Sequence, residues 1–412
     1  MHGLFFLRHY NDIDHITPVM YEWMKSEHSA TVVVYSMPEY LDDHRLQFLK
    51  QFTSFSLHYI DAFLDEQTRN RKRAIVNGPR TEIAKDVRIS ELYDESVIAR
   101  IIDTTKPDVI CFDWIMSTSA AAVPVAQRAA NIARDRKLPI ISLPHGDSPH
   151  FNEMIAADDL NFAWRNIYST GAIFDSVVVP NELCAKRYRP FMPDDRVQIL
   201  GSPRYNNSWL TIMDGLTPAY EFGPHDSLNI VLFLRSPQYP IFWQEVVRTI
   251  RMITQRPAVK LVVKHHTRPS GSDPLRPLYD ELEAHPISNL RFAFDETHSG
   301  SLLRWASVVM DVATSVSFEA VKANKPVLAM EYLHAGYSTI ARYIPSTEMR
   351  CRDDVLEMLA KSATRGINGF YRKRDRVHFL DEMIDVPDAD VLPRYVSYLE
   401  KVCGISSAAI AA

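Results

Sequence analysis

Apolar residues in this chain come in short, β-branched-rich runs separated by amphipathic stretches of helical length. In the first half the runs predict strands at 3–7, 30–35, 108–112, 139–143, 176–179 and 197–200. The intervening pattern predicts helices at 16–25, 41–51, 91–104 and 120–136, and a short one from Glu182. Residues 52–89 show no clear period, and the charged part near Arg69 reads as an exposed loop. Strands alternating with helices of this length indicate βαβ units with right-handed crossovers and a parallel sheet.

The pattern lapses over 206–227, where Gly215, Pro218, Gly223 and Pro224 mark an interdomain linker, and then restarts. Strands are predicted at 228–234, 259–263, 290–294, 307–310 and 326–330. Helices are predicted at 243–254, 274–283 and 316–323, and near 353–361 and 395–402. The expected division is therefore 1–205 as a first Rossmann-like domain and 206–227 as the linker. Residues 228–390 are expected as a second, and 391–412 as a last helix and frayed tail crossing back to the first. A chain of 412 residues fits this division, since it is too long for one ordinary core.

Composition narrows the class. With 46% hydrophobic and 24% charged residues the chain reads as soluble and globular, and a net charge of -5 carries no nucleic-acid signature. Two basic runs, RNRKR at 69–73 and YRKRDR at 371–376, read as solvated faces or as contacts to an anionic membrane surface or polyanion. Cys111, Cys184, Cys351 and Cys403 are scattered without metal-ligand spacing, which points to a reducing compartment and no structural zinc. The apolar run at 4–7 is too short for a signal peptide, and no segment reaches membrane-spanning length. The expectation is a cytoplasmic protein, with peripheral contact at the inner face of the membrane left open.

Candidate chemistry gathers at predicted strand ends, where α/β sheets build their sites. The stretch 307–330 is a strand, a turn, a helix and a strand, with Thr314 and Ser315 just ahead of the helix. There their hydroxyls would cap free N–H groups, and the helix start would favour a phosphate. Ser317 and Glu319 follow within a turn, Glu319 at reach of sugar or ribose hydroxyls; an ordinary capped βαβ unit meets the same pattern. The loop 8–18 (RHYNDIDHITP) offers Asp14 beside His15 as a base for an acceptor hydroxyl. Asp12 reads rather as a helix cap, and Pro18 suits an early helix position. His145–Gly146 ends a buried strand, and Gly201–Tyr205 (GSPRY) supplies Arg204 for a phosphate or carboxylate. Arg235 and Ser236 end the first strand of the second half. Lys264–Arg268 (KHHTR) closes a later one, with Lys264, His265 or His266, and Arg268 placed to neutralise a departing phosphate. Alternation in an extended segment lets one of His265 and His266 face the site directly.

The order of these motifs resembles the GT-B superfamily: His15-x-x-Pro18, His145-Gly146, Gly201-x-Pro-Arg204, Lys264-x-His266, and Asp311 with Thr314 to Glu319 ahead of Lys325–Leu328. Within it the series is most similar to the CDP-glycerol glycerophosphotransferase-like and capsule or surface-polysaccharide transferases. The resemblance implies an α/β GT-B protein, two Rossmann-like parallel-sheet domains facing a central cleft. It further implies a metal-independent glycosyltransferase, without a cofactor, that uses a nucleotide-sugar donor and a glycan or lipid-linked acceptor. His145, Asp14 with His15, and His265 or His266 would be catalytic. Arg235, Ser236, Lys264, Arg268, Thr314, Ser315, Ser317 and Glu319 would hold the nucleotide, and Gly146 and Arg204 the substrate. A CDP-polyol phosphotransferase and a non-catalytic glycan- or nucleotide-binding subunit are alternatives. So is a non-hydrolysing UDP-sugar 2-epimerase. That family shares the last motif in a Gly-Gly form, and its tandem Glu is here Phe318-Glu319.

Overall fold

The computed structural model describes residues 1–79, 81–145, 153–154, 166–223, 227–237, 239–266, 274–294, 296–365, 370–384 and 390–408. The chain runs β1 (His2–Leu7), α1 (Tyr10–Lys25), β2 (Ser29–Val34), α2 (His44–Leu49), β3 (Phe55–Tyr59), α3 (Glu66–Val76), α4 (Glu82–Leu92) and α5 (Glu95–Thr105). It continues β4 (Val109–Phe112), α6 (Ala122–Asp135), β5 (Ile140–Ser142), β6 (Glu153–Met154), β7 (Ser176–Val179), α7 (Glu182–Tyr188), β8 (Val197–Ile199) and α8 (Asn207–Leu216). Then come β9 (Leu228–Phe233), α9 (Trp243–Thr254), β10 (Val259–Lys264), α10 (Arg276–Ala284), β11 (Leu290–Ala293), α11 (Ser299–Trp305), β12 (Val308–Asp311) and α12 (Val316–Lys322). The last elements are β13 (Val327–Met330), β14 (Gly336–Tyr337), α13 (Thr339–Tyr343), β15 (Glu348–Met349), α14 (Arg352–Arg365), α15 (Lys373–Met383) and α16 (Leu392–Ala408).

Two compact units result. One comprises Met1–Asp147, Ala163–Leu210 and Asp388–Ala412, the other Ser148–Phe162 and Thr211–Pro387. The first unit holds a seven-stranded sheet in the order β3-β2-β1-β4-β5-β7-β8, and every neighbouring pair is parallel. The second holds a six-stranded parallel sheet, β11-β10-β9-β12-β13-β15, and a small antiparallel pair of β6 with β14. In each sheet the chain starts at a central strand, builds outward to one side, then returns to build on the other. The switch points lie between β1 and β4 and between β9 and β12, and a crevice opens at such points beyond the strand ends.

Each sheet is covered by its own core. Phe6, Phe112, Val33, Ile110, Ile98 and Ala126 pack one face of the first sheet, with Phe6 and Phe112 stacked 4.6 Å apart. Ile230, Leu232, Val246, Ile250, Val263 and Met310 do so in the second. Strands buried on both faces read as continuous apolar runs, which is why they were legible as strands at all.

Several sequence expectations change. The loop expected at 8–18 is largely helix. α1 begins at Tyr10 because the Asp12 carboxylate accepts the N–H groups of Arg8 and His9, at 2.7 and 2.9 Å, and so fixes the first turn. Pro18 therefore lies inside α1. The loop expected near Arg69 is α3, capped by Asp65, which accepts from Thr68 N at 2.7 Å. The expected linker 206–227 contains α8. The second basic run opens α15, an element the apolar pattern did not mark. No helix among the described residues is long and apolar enough to cross a membrane.

Candidate functional site

The first unit concentrates its polar groups at the β1/β4 switch point. Arg8 follows β1, Asp113 follows β4, His145 lies just beyond β5, and Asp12 sits in the first turn of α1. Asp12 and Asp113 are wholly buried. His145 Nδ1 lies 3.1 Å from Asp12 Oδ1 and 3.2 Å from Asp113 Oδ2. Arg8 reaches Asp113 Oδ2 at 3.4 Å and donates to Ser119 Oγ at 3.0 Å. The Trp114 ring stands 5.6 Å from the His145 ring and stacks on Tyr168.

Burial and charge set the protonation of this centre. Burial pulls the His145 imidazole down, but the carboxylates of Asp113 and Asp12 outweigh it and raise it to about 9. Burial and the neighbouring Asp12 charge push Asp113 up to about 6, with Arg8 and His145 opposing. Asp12 is buried too, but His145 and then Arg8 hold it well below the usual carboxylate range. At neutral pH an imidazolium therefore sits between two carboxylates, one poised to titrate. Such a set can give and take a proton within a single cluster.

The same place holds further buried polar atoms with no hydrogen bond among the described residues: Asp113 Oδ1, Arg8 Nε, Tyr35 Oη and Trp114 Nε1. Buried polar groups normally find partners, so their gathering here singles this place out as the candidate site. Asp12, Asp113 and His145 bring one ligand atom each within 4.8 Å of one another, a spacing that would also suit a metal ion. Arg8 already balances the second carboxylate, however, and the cluster is complete in charge as an acid–base centre.

Asp14 and His15, expected as a base pair, are built into a different device. Asp14 Oδ1 lies 2.5 Å from Arg45 and its Oδ2 2.9 Å from Arg204. Arg45 is fully buried, holds Asp43 through two nitrogens at 2.9 and 2.7 Å, and stacks 4.2 Å over Tyr10. Burial, then the Arg204 charge, pushes the His15 imidazole down to about 3, so it is neutral at ordinary pH. Arg204, expected to meet substrate, thus joins a clamp under α1.

In the second unit the β9/β12 switch point carries a second set. Arg235 follows β9, stacks 4.0 Å over Tyr239, and donates to the Ala313 carbonyl. Ser236 beside it is buried. Ala313 takes a left-handed conformation, φ 52°, which a non-glycine residue holds only where its surroundings enforce it. Asp311 is wholly buried and pushed up to about 7 by that burial, although Thr314 donates to it through both backbone N–H (3.0 Å) and hydroxyl. The Thr314 hydroxyl therefore turns back to Asp311 instead of capping α12, and Ser315 occupies the N-cap without a side-chain cap bond. Ser317 donates to the Thr314 carbonyl at 2.8 Å, and Glu319 is half-buried beside Gly300.

Lys264 is buried, and its ammonium donates to the Phe294 carbonyl at 2.6 Å. His265 stacks on Phe294 at 4.9 Å and bonds the Tyr279 hydroxyl; His266, next along, is half-buried. Gly146 and Arg268 lie outside the described residues.

Arg8, Asp113, Tyr35 and Arg45 were not singled out from the sequence. For Asp113 a signal existed: an aspartate closing an apolar run, VICFD, just as Asp311 closes VVMD.

No family model matches the sequence, and no curated protein matches it. Solved structures do. The UDP-GlcNAc 2-epimerase of Neisseria meningitidis, bound to UDP-GlcNAc, is 14% identical with a TM-score of 0.60, over 97% of this chain and 100% of that one. The UDP-GlcNAc 2-epimerase of Methanocaldococcus jannaschii is 12% identical with a TM-score of 0.60, over 97% and 100%. Anabaena Alr3699/HepE in complex with UDP-glucose is 11% identical with a TM-score of 0.53, over 97% and 100%. These comparisons lend nothing to the CDP-glycerol glycerophosphotransferase branch of the expected resemblance. They carry its broader part: the chain has the GT-B-like fold, two Rossmann-like units each with a parallel sheet.

Proposed function

We propose that the protein is an enzyme acting on nucleotide-diphosphate sugars, with proton transfer at Asp12, Asp113 and His145. The observation that carries this reading is the imidazole held 3.1 and 3.2 Å from two buried carboxylates at a sheet switch point. A UDP-sugar 2-epimerase is the first form of it. Inverting C2 requires its proton to leave one face of the sugar ring as the C1–oxygen bond to UDP breaks and takes the electron pair, and another proton to arrive at the opposite face as UDP re-adds to C1. A cluster holding one carboxylate near neutrality and one protonated imidazole supplies both kinds of group. The similarity to such epimerases over 97% of the chain supports this form. In the second unit Arg235, Ser236, Thr314, Ser315 and Glu319 are the residues proposed for the nucleotide.

Glycosyl transfer is the second form, favoured by one specific observation. The Gly-Gly and tandem Glu of the epimerases are here Thr314-Ser315 and Phe318-Glu319, and Thr314 is tied to Asp311. In that form a carboxylate–imidazole pair would take the proton of an acceptor hydroxyl.

Incubation of the protein with UDP-GlcNAc alone, followed by proton NMR, separates the two. Appearance of the C2 epimer supports the first form. UDP release only when a glycan acceptor is added supports the second. No conversion of UDP-, GDP- or CDP-activated donors, with no shift of the melting temperature by any nucleotide, overturns both.

A further inference from the structure

Tyr35 follows β2 and is 5% exposed. Its backbone N–H donates to the Leu7 carbonyl at 3.1 Å, and its ring meets Phe6 and Phe112 edge-on at 6.2 and 6.4 Å. The ring is thereby fixed, and the hydroxyl stays where the fold puts it. That hydroxyl is buried and has no hydrogen-bond partner among the described residues. The register that sets Leu7 opposite Val34 brings Tyr35 beside Arg8, and after burial the charges of Arg8, Asp113 and Asp12 act on its hydroxyl, so it borders the acid–base centre. Arg8 uses its two terminal nitrogens on Ser119 and Asp113, and its Nε, also buried, has no partner either. Two buried donors without an acceptor among the described residues thus follow the ends of neighbouring strands. An unsatisfied buried donor destabilises the fold, and a phenylalanine would remove that cost at Tyr35 without disturbing the packing.

We propose that the Tyr35 hydroxyl, together with Arg8 Nε, forms a two-donor subsite for an acceptor oxygen of the nucleotide sugar. The ligand class is a phosphoryl or sugar oxygen, because the Tyr35 hydroxyl and Arg8 Nε are both donors without an acceptor among the described residues. Tyr35 contributes no proton of its own, because burial raises its hydroxyl well above the usual tyrosine value. The subsite rests on the reading that this centre receives a nucleotide sugar.

The test is Tyr35→Phe in the full chain, read three ways. The melting temperature should be unchanged or higher; a marked fall means that the hydroxyl has a structural partner and overturns the subsite. Binding of UDP-GlcNAc, measured by calorimetry, should weaken by about 10- to 100-fold, the worth of a hydrogen bond to a charged or strongly polarised oxygen. Equal weakening of UDP binding assigns the oxygen to the diphosphate. Weakening confined to UDP-GlcNAc assigns it to the sugar, and unchanged binding of both overturns the proposal. Should the wild type bind no nucleotide sugar, the functional reading itself fails. Calorimetry with inorganic pyrophosphate then decides on the subsite: weaker binding by the variant than by wild type supports it, and no difference overturns it.

Discussion

Asp113 and Asp311 hold corresponding places in the two sheets. Each stands at the end of its sheet's fourth strand, beside the arginine that follows the first, Arg8 or Arg235. Both are wholly buried and both are pushed up, to about 6 and about 7. They differ in what answers the charge. Asp311 is met by the hydroxyl and N–H of Thr314, neutral donors that leave it near neutrality. Asp113 is met by His145 and Arg8. The His145 contribution can be isolated. A histidine raised from 6.5 to about 9 keeps, in the folded state, a proton that the unfolded chain releases in between. Its stabilisation is therefore complete below pH 6.5 and is lost as pH rises through 9. His145→Gln should cost about 3 kcal/mol at pH 6.5, because it leaves a buried carboxylate pair with Arg8 as its one remaining cation among the described residues. Near pH 10, where the wild-type ring is neutral as well, most of that deficit should vanish. Urea denaturation at the two pH values measures it, and a deficit independent of pH would mean that the ring packs without pairing.

At the scale of elements, α1 is the piece on which the first site depends. Its first turn carries Asp12, and its second is held by the Asp14–Arg45 contact, which Asp43 and Arg204 extend to α2 and the segment after β8. Arg45→Leu should destabilise the protein by about 3–5 kcal/mol in urea, since it strands Asp43 and leaves Asp14 only Arg204 of its two arginines. Arg45→Lys should recover little, because an ammonium cannot span Asp43 with two nitrogens. A loss under 1 kcal/mol would remove the clamp from the account. This element also marks where the sequence was legible and where it was not. The βαβ alternation and the strand ends were readable, because strands buried on both faces write their burial as unbroken apolar runs. The start of α1 was not. Pro18 reads naturally as a first-turn proline, whereas Asp12 caps the helix two turns earlier through N–H groups that no periodicity reveals. Asp12 was accordingly taken for a plain cap and Asp14 with His15 for a base. Asp12 does cap α1 through Oδ2, and burial adds what the sequence did not show, bringing its Oδ1 to His145 and pairing Asp14 with two arginines. Thr314 went astray for a similar reason, since its position before α12 suggests a cap and only the fold shows Asp311 within its reach.

At the scale of the whole molecule, the two sheets follow one plan, but the first is finished by distant chain. α16, from the C-terminal end, packs on α1 and β4 within the first unit. Tyr395 donates to the Gly201 carbonyl at 2.6 Å, Tyr398 bonds Ser176 at 2.5 Å, and Glu400 meets His28 at 2.8 Å. Leu392, Tyr395 and Leu399 are wholly buried. The helix thus closes a face of the sheet that bears Arg8 and Asp113, while the second unit has its own separate core. Removing residues 388–412 should loosen the first unit and spare the second. Cysteine labelling can tell them apart. Cys351 is exposed in the second unit and should react in native protein of either length. Cys111 lies in β4, wholly buried and close enough to Cys403 of α16 for the two thiols to interact. With α16 gone, Cys111 should become reactive while the rate at Cys351 stays as it was. Protection of Cys111 in the shortened chain would show that the first sheet closes without α16, and that the site it carries owes nothing to that helix.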